Sequence, residues 1–360
     1  MKQIYVQQNE AGQRLDKLLV KILNKAPKSF IYKMLRKKNI TLNGKKAEGS
    51  EKLALQDEIK LFLSDETIAL FSENETMNIV DAKLDIVYED THILIVNKPL
   101  GVLSQKAEKE DVSMVEYIIS YLITSKQISK EQLASFKPAI CNRLDRNTGG
   151  LLIAGKSLLG LQEMGRLLKD RSLNKYYLCI VKGKVEDKKR VEGYLSKDEE
   201  KNQVKIFQKQ AENTEYICTE YEPISYSASA RKDKETLHEE VLQRNRAMKL
   251  QSREKIPEME GEDPTGSYTL LQVKLITGRS HQIRAHLASI GHPIIGDFKY
   301  GNQRTNHYFK RKYNLTTQLL HSHRMVFPSI SGGLSYLSGK EFSAEVPEQF
   351  KQIKKELFES

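Results

Sequence analysis

The segment NRLDRNTGG, residues 142–150, sets one acid, Asp145, between Arg143 and Arg146 and ends on two glycines, just before the apolar run LLIA. Taken alone it reads best as a turn with a salt-bridged structural acid. The alternative is a reactive carboxylate held in place by its neighbours. Such a group must stay ionised in a mostly dry pocket, where burial by itself favours the protonated form. An arginine solves this, because its planar fork matches two carboxylate oxygens. Arg279 and Arg284 occur in a second charged segment, TGRSHQIRAHLASIGHPIIGDFKYG (277–301). A third segment, NKYYLCIVKGKV (174–185), alternates as a strand does, so Lys175, Tyr177, Cys179 and Val181 share a face and Tyr176 points the other way.

Two other motifs compete for the chemistry. GLLIAGKS (150–157) fits the phosphate-loop pattern G-x-x-x-x-G-K-[ST]. That pattern needs a preceding strand and a flexible loop interior, whereas Leu-Leu-Ile-Ala belongs in a buried strand, so nucleotide binding is not expected. His281, His286 and His292 cluster, with His321 and His323 later in the chain. His281 and His286 are five apart, which does not place them on one helical face, and the nearby acid is Asp297. Local hydrogen bonding or phosphate contact is the better reading of these histidines than a metal hydrolase.

Composition narrows the partners. The 360-residue chain is long enough for about two domains. Its net charge of +11 favours a polyanion, nucleic acid above an anionic membrane. No apolar run approaches the roughly 20 residues that span a bilayer, and the first residues, MKQIYVQQNE, carry no apolar signal core. Cys141, Cys179 and Cys218 are far apart and odd in number, which suggests a reduced, cytoplasmic chain without disulfide framework or zinc site.

Residues 1–63 read as a unit of their own. Leu15, Leu18, Leu19, Ile22 and Leu23 fall on one helical face. A second helix, with Ser29 as its cap, is expected to bury Phe30, Met34 and Leu35 and to expose Lys33, Arg36, Lys37 and Lys38. Asn43-Gly44 marks a tight turn between short strands. The basic face suits RNA phosphates; a solvated lysine face is the bland alternative. Residues 64–79 read as a polar, acidic linker, and strand patterning starts near 80. Helices are expected near 112–126 and over 157–170, and strands over 174–185 and in SYTLLQVKLITG. Residues 225–266, charged and poor in large apolar side chains, read as an insertion, one exposed helix with flexible flanks. No internal repeat is evident.

Together these segments resemble the RluA family of RNA pseudouridine synthases. The family motif H-R-L-D-x-x-T-S-G is matched at Arg143, Leu144, Asp145, Thr148 and Gly150, with Asn142 in place of its His and Gly149 in place of its Ser. Gly278, Arg279, Ser280, His281, Gln282, Ile283, Arg284, His286 and Leu287 match G-R-[ST]-H-Q-I-R-x-H-L. VNKPLG (96–101) and LLHSHRMVF (319–327) also look like family segments, and residues 1–63 resemble the S-four-type RNA-binding module, with APKS in its turn. The order of parts is similar to that of the large-subunit ribosomal RNA branch (RluC/RluD-like).

The resemblance implies an α+β protein: a pseudouridine synthase fold, with a mixed, largely antiparallel sheet and flanking helices, over 80–360, behind a small N-terminal α/β RNA-binding domain. It implies isomerisation of uridine in RNA, with the base flipped out of its stack. Asp145 would be the nucleophile, Arg284 its partner (Arg279 the second choice) and Tyr177 the stacking platform. Arg143, Leu144, Thr148, Arg279, His281, Gln282 and Leu320 would contact substrate, and Lys33, Arg36, Lys37 and Lys38 would grip RNA. The reaction breaks an N-glycosidic bond, turns the base and rejoins it through carbon. It needs no redox change, so no cofactor and no metal is expected. The implied partner is ribosomal RNA and the implied state a monomer. The alternative from another class is a catalytically silent RNA-binding or ribosome-assembly protein on the same fold. Asn142 and Gly149 favour it; the intact Asp145 and Arg284 oppose it.

Overall fold

The computed structural model describes residues 1–72, 79–81, 83–130, 132–227 and 266–359. The chain forms two compact units. One comprises Met1–Ile95, Gln105–Asn142 and Ile153–Arg166; the other comprises Val96–Ser104, Arg143–Leu152 and Leu167–Ser360.

In the first unit, α1 (Leu15–Ile22) and α2 (Lys28–Arg36) lie with a four-stranded antiparallel sheet of order β1-β4-β2-β3, formed by β1 (Lys2–Tyr5), β2 (Ile40–Leu42), β3 (Lys45–Lys46) and β4 (Glu58–Leu61). Leu15, Leu18, Leu19, Ile31, Leu35, Ile40, Ile59 and Leu61 share one buried cluster. Asn43 and Gly44 both have positive φ, 50° and 72°, as a tight turn between β2 and β3 requires. The second helix differs in detail from expectation. Ser29 lies inside α2, and Pro27 takes the capping position without a side-chain bond. Its fixed φ suits a helix entrance. Ile31 is buried beside Met34 and Leu35, while Phe30 is only partly covered. Lys33, Arg36, Lys37 and Lys38 are exposed.

The stretch read as a linker opens with a helix, α3 (Asp65–Phe71), whose N-cap Ser64 accepts a bond from the Thr67 amide. Ile68 belongs to the N-terminal core and Phe71 packs on it, 4.4 Å from Phe30 between ring centroids. The same unit carries β5 (Ile86–Glu89), the first part of β6 (Ile93–Lys98), α4 (Met114–Thr124) with a Ser113/Glu116 capping box, and β7 (Ala139–Ile140) on the end of β8 (Gly149–Gly155). Every residue of β8 is buried, so Gly150–Gly155, the body of the phosphate-loop match, is a core strand. Lys156 is engaged by Glu89 at 2.6 Å.

The second unit is built on a sheet of order β11-β10-β12-β13-β9-β14-β8: β9 (Asn174–Lys182), β10 (Lys189–Asp198), β11 (Gln203–Phe207), β12 (Glu215–Tyr226), β13 (Tyr268–Leu275) and β14 (Leu320–Val326), with β15 (Glu341–Ser343) beside β14. These pairs are antiparallel except β14 with β8, which is parallel. The helix read over 157–170, α5 (Leu158–Lys169), ends in this unit, followed by α6 (Gln282–Ser289), α7 (Gln303–Tyr313) and α8 (Glu348–Phe358). Phe309, Phe350 and Ile353 of α7 and α8 pack on Ile180 and Leu270 of the sheet. Of the stretch 225–266 read as an insertion, Ser225 and Tyr226 belong to β12, and 228–265 lie outside the described residues.

Candidate active site

All ten residues assigned to catalysis or substrate contact in the catalytic domain line one cleft of about 430 Å³ in the second unit. The basic residues of α2 belong to the first unit.

Asp145 sits on the loop before β8, and the backbone on both sides of it is clamped. Ser104 Oγ accepts from the Leu144 amide at 2.9 Å and donates to the Leu144 carbonyl at 2.7 Å. On the other side the Arg146 carbonyl accepts from Lys98 Nζ at 3.0 Å and from the Gly101 amide at 3.0 Å. Lys98 is 1% exposed, and its amine also donates to the carbonyls of Pro99 and Val102. Burial pulls it down to about 8, with the charge of Asp145 opposing. The Thr148 amide closes the turn onto the Asp145 carbonyl at 3.0 Å, and the Thr148 hydroxyl accepts from Gln318 at 3.2 Å.

The Asp145 carboxylate accepts from Arg284 Nη1 at 3.0 Å. Its ion-pair partner is therefore 139 residues away and is neither flanking arginine. Arg279, the second choice, instead pairs with Glu215 at 2.9 Å. Arg284 is held from behind by the buried Asp297, Nε to Oδ2 at 2.7 Å and Nη2 to Oδ1 at 2.9 Å. Asp297 Oδ1 also accepts the amides of Lys299 and Tyr300. Burial alone would raise the Asp297 carboxyl; the guanidinium and the two amides outweigh it and hold it below the usual range. Burial likewise opposes the charge on Arg284, and the two carboxylates overcome it. With Asp297 bound to the guanidinium, that acid is unavailable as a metal ligand. Among the described residues no group of three His, Cys, Asp or Glu could hold a metal ion.

Tyr177, on β9, is 5% exposed, and burial pushes its phenol up to about 12, so the ring stays neutral. Tyr176 faces the other way, with the Arg324 guanidinium 4.1 Å from its ring centroid. Leu320, the first residue of β14, pairs with Cys179 and is buried at the cleft floor. Arg143 is exposed at the cleft and Leu144 buried beneath it. His281 Nδ1 lies 2.9 Å from the Tyr300 hydroxyl, and its Nε2 lies 4.0 Å from Asp145.

Gln282 lines the cleft, but its amide is spent inside the protein. Its nitrogen donates to the Cys218 carbonyl and Thr219 Oγ1, and its oxygen accepts from Thr277 Oγ1 and the Arg279 amide. All four hydrogen-bonding positions are filled inside the protein, which ties the 277–282 loop to β12. Sequence reasoning missed Lys98, Ser104 and Asp297 as functional. Lys98-Pro99-x-Gly101 was the only local signal.

The two motif departures leave the ion pair untouched. Asn142 Oδ1 accepts the Ile153 amide at 2.8 Å and so anchors the chain where β8 continues. At Gly149 a Cβ would meet the Lys98 carbonyl at 3.1 Å and His321 Nδ1 at 3.2 Å. Gly150 has φ +111°, and a Cβ there would fall 2.2 Å from the Ser322 carbonyl oxygen, so only glycine fits.

A carboxylate clamped on both sides, tied to a buried guanidinium and sharing its cleft with a buried aromatic ring, is what this fold brings together. Comparison with known proteins gives the family. The model described as RNA pseudouridylate synthase matches residues 92–289, more than half of the chain. The chain belongs to that family and isomerises uridine in RNA to pseudouridine. It is 29% identical to an uncharacterised RNA pseudouridine synthase of Mycoplasma genitalium, over 90% of this chain and 88% of that one. It is 27% identical to the ribosomal large subunit pseudouridine synthase C of Buchnera aphidicola (subspecies Acyrthosiphon pisum), over 89% and 87%. A solved human structure, RNA pseudouridylate synthase domain containing 4, shares the fold with a TM-score of 0.51 at 17% identity, over 76% of this chain and 92% of that one.

Proposed function

We propose that the substrate is large-subunit ribosomal RNA, that Asp145 is the nucleophile, that Arg284 keeps it ionised and that Tyr177 supports the flipped uracil. The observation that carries this reading is the 3.0 Å bond from Arg284 to Asp145, inside a cleft that also holds Tyr177. In the reaction the C1′–N1 bond breaks with its electron pair leaving on the ring, the ring turns, C5 bonds to C1′, the C5 proton leaves and N1 takes one up. Asp145 would take part as the nucleophile, and the clamps on Leu144 and Arg146 fix where its carboxylate stands. Ribosomal RNA is favoured because relatives matched over most of their length carry ribosomal large subunit names. Residues 1–63 would grip RNA through the exposed Lys33, Arg36, Lys37 and Lys38. The enzyme would act as a cytoplasmic monomer; no described helix is long and apolar enough to cross a membrane.

Pseudouridine mapping of ribosomal and transfer RNA, in cells with and without this protein, tests the substrate. At least one large-subunit position should lose its pseudouridine and regain it with the wild-type gene but not with Asp145→Asn. Loss confined to transfer RNA would overturn the substrate, and restoration by Asp145→Asn would overturn the mechanism.

A further inference from the structure

His281 sits where α6 begins, in a left-handed backbone conformation with φ 54°. Non-glycine residues rarely adopt it, and they hold it where the surroundings enforce it. Its ring is fixed as firmly as its backbone. The Tyr300 hydroxyl accepts the Val204 amide at 2.9 Å and lies 2.9 Å from His281 Nδ1. With the Val204 amide already donating to it, the phenol oxygen is best used by passing its own proton to Nδ1, an arrangement that puts the imidazole proton on Nε2. That nitrogen lines the cleft and faces the Asp145 carboxylate at 4.0 Å, whose negative charge favours a proton on the near nitrogen. The distance is too long for a direct bond. Burial, reinforced by Arg284 and Lys299 and opposed by Asp145, disfavours the cation, so the ring is neutral. The result is a preoriented, uncharged donor directed at a cleft that must take a flat, carbonyl-bearing base.

We propose that His281 is a further catalytic residue, whose Nε2–H donates a hydrogen bond to a ring carbonyl oxygen of the flipped uracil. This rests on the reading of the cleft as the uridine-isomerising site. When the C1′–N1 bond breaks, the electron pair spreads from N1 over the ring oxygens. A fixed donor stabilises that charge more than it stabilises the neutral ring. His281 keeps its proton throughout; none is transferred in this step. Tyr300 and Val204 act through it as positioning groups.

Two measurements test the assignment. Long-range proton–nitrogen NMR correlation on labelled wild-type protein should show Nδ1 bare and Nε2 protonated at neutral pH. In single-turnover assays His281→Phe should slow isomerisation on the order of a hundredfold, with RNA affinity changed by less than about threefold. His281→Gln, which keeps an N–H at a similar reach, should recover most of that loss. A proton on Nδ1, normal turnover in His281→Phe, or an equal loss in the Gln and Phe variants would each overturn the proposal. If His281→Phe fails to fold, the Gln variant and the NMR tautomer still decide. Failure of the underlying reading would look different: wild-type protein would form no pseudouridine, or Asp145→Asn would form it.

Discussion

Asp297 grips Arg284 through two hydrogen bonds, leaving Nη1 as the nitrogen that meets Asp145. The arginine is thus aimed as well as charged. One buried acid, Asp297, and one partly exposed acid, Asp145, share the guanidinium.

Arg284→Lys should therefore fall well short of rescue, because an ammonium cannot bind Asp297 through two nitrogens and Asp145 through a third. Asp297→Asn should slow turnover on the order of a hundredfold, as a misplaced catalytic group does, with little change in RNA affinity. Asp297→Ala strands a buried cation and should lower stability by about 3–5 kcal/mol, read as the shift of a denaturant midpoint. Full activity in Asp297→Asn would remove it from the machinery.

Tyr177→Phe retains the ring and loses the hydroxyl. Single-turnover rates near wild type in Tyr177→Phe, with loss in Tyr177→Ala, are expected of a stacking platform, worth roughly 1–3 kcal/mol per base. A Phe variant as inactive as Ala would mean that the hydroxyl does chemistry.

The amine of Lys98 offers a test by pH. Its ordinary value of 10.5 falls to about 8 in the folded protein. Between those values the unfolded chain binds the proton and the folded chain does not, so unfolding free energy gains with rising pH across that window. Below about 8 both states are charged and the cost of burying the charge is present in full. The stability difference between wild type and Lys98→Met should thus grow in favour of wild type as pH rises from 8 towards 10.5. Turnover of the wild type should fall over the same rise, since a neutral amine has two hydrogens for three carbonyls. A stability difference that is flat with pH would sink this account of Lys98.

On α2, Arg36, Lys37 and Lys38 replaced together by Gln should weaken binding to long structured RNA and flatten its salt dependence. Each lost phosphate contact removes roughly 0.7–0.9 log units of slope. Turnover at saturating RNA should barely change. An unchanged salt slope in the folded variant would exclude these residues from phosphate contact.

What could be read from the sequence followed from local patterning. Alternation in NKYYLCIVK placed Tyr177 and Tyr176 on opposite faces, and an apolar interior turned GLLIAGKS from a phosphate loop into a strand. Spaced motifs delimited the residues that meet in the cleft. The rest depended on distance along the chain. Ser104 lies 40 residues from Leu144 and Lys98 lies 48 from Arg146, so no periodicity could pair them. Gln282 was singled out by its place in the GRSHQIR segment, and the four partners of its amide could not be read there because two of them lie more than 60 residues away. The helix at Asp65–Phe71 was hidden by acidic composition, although Ser64 stands at its start as a cap.

The position of β9 has a consequence for how the enzyme comes into being. It lies between β13 and β14, which emerge from the ribosome long after it. Asp145, Tyr177 and Leu320 cannot meet until the chain has been made as far as residue 326, nearly its full length. Contacts so distant in sequence form late. The basic α2, by contrast, is made within the first 36 residues. If α2 grips RNA as proposed, the order of synthesis would let recognition precede chemistry.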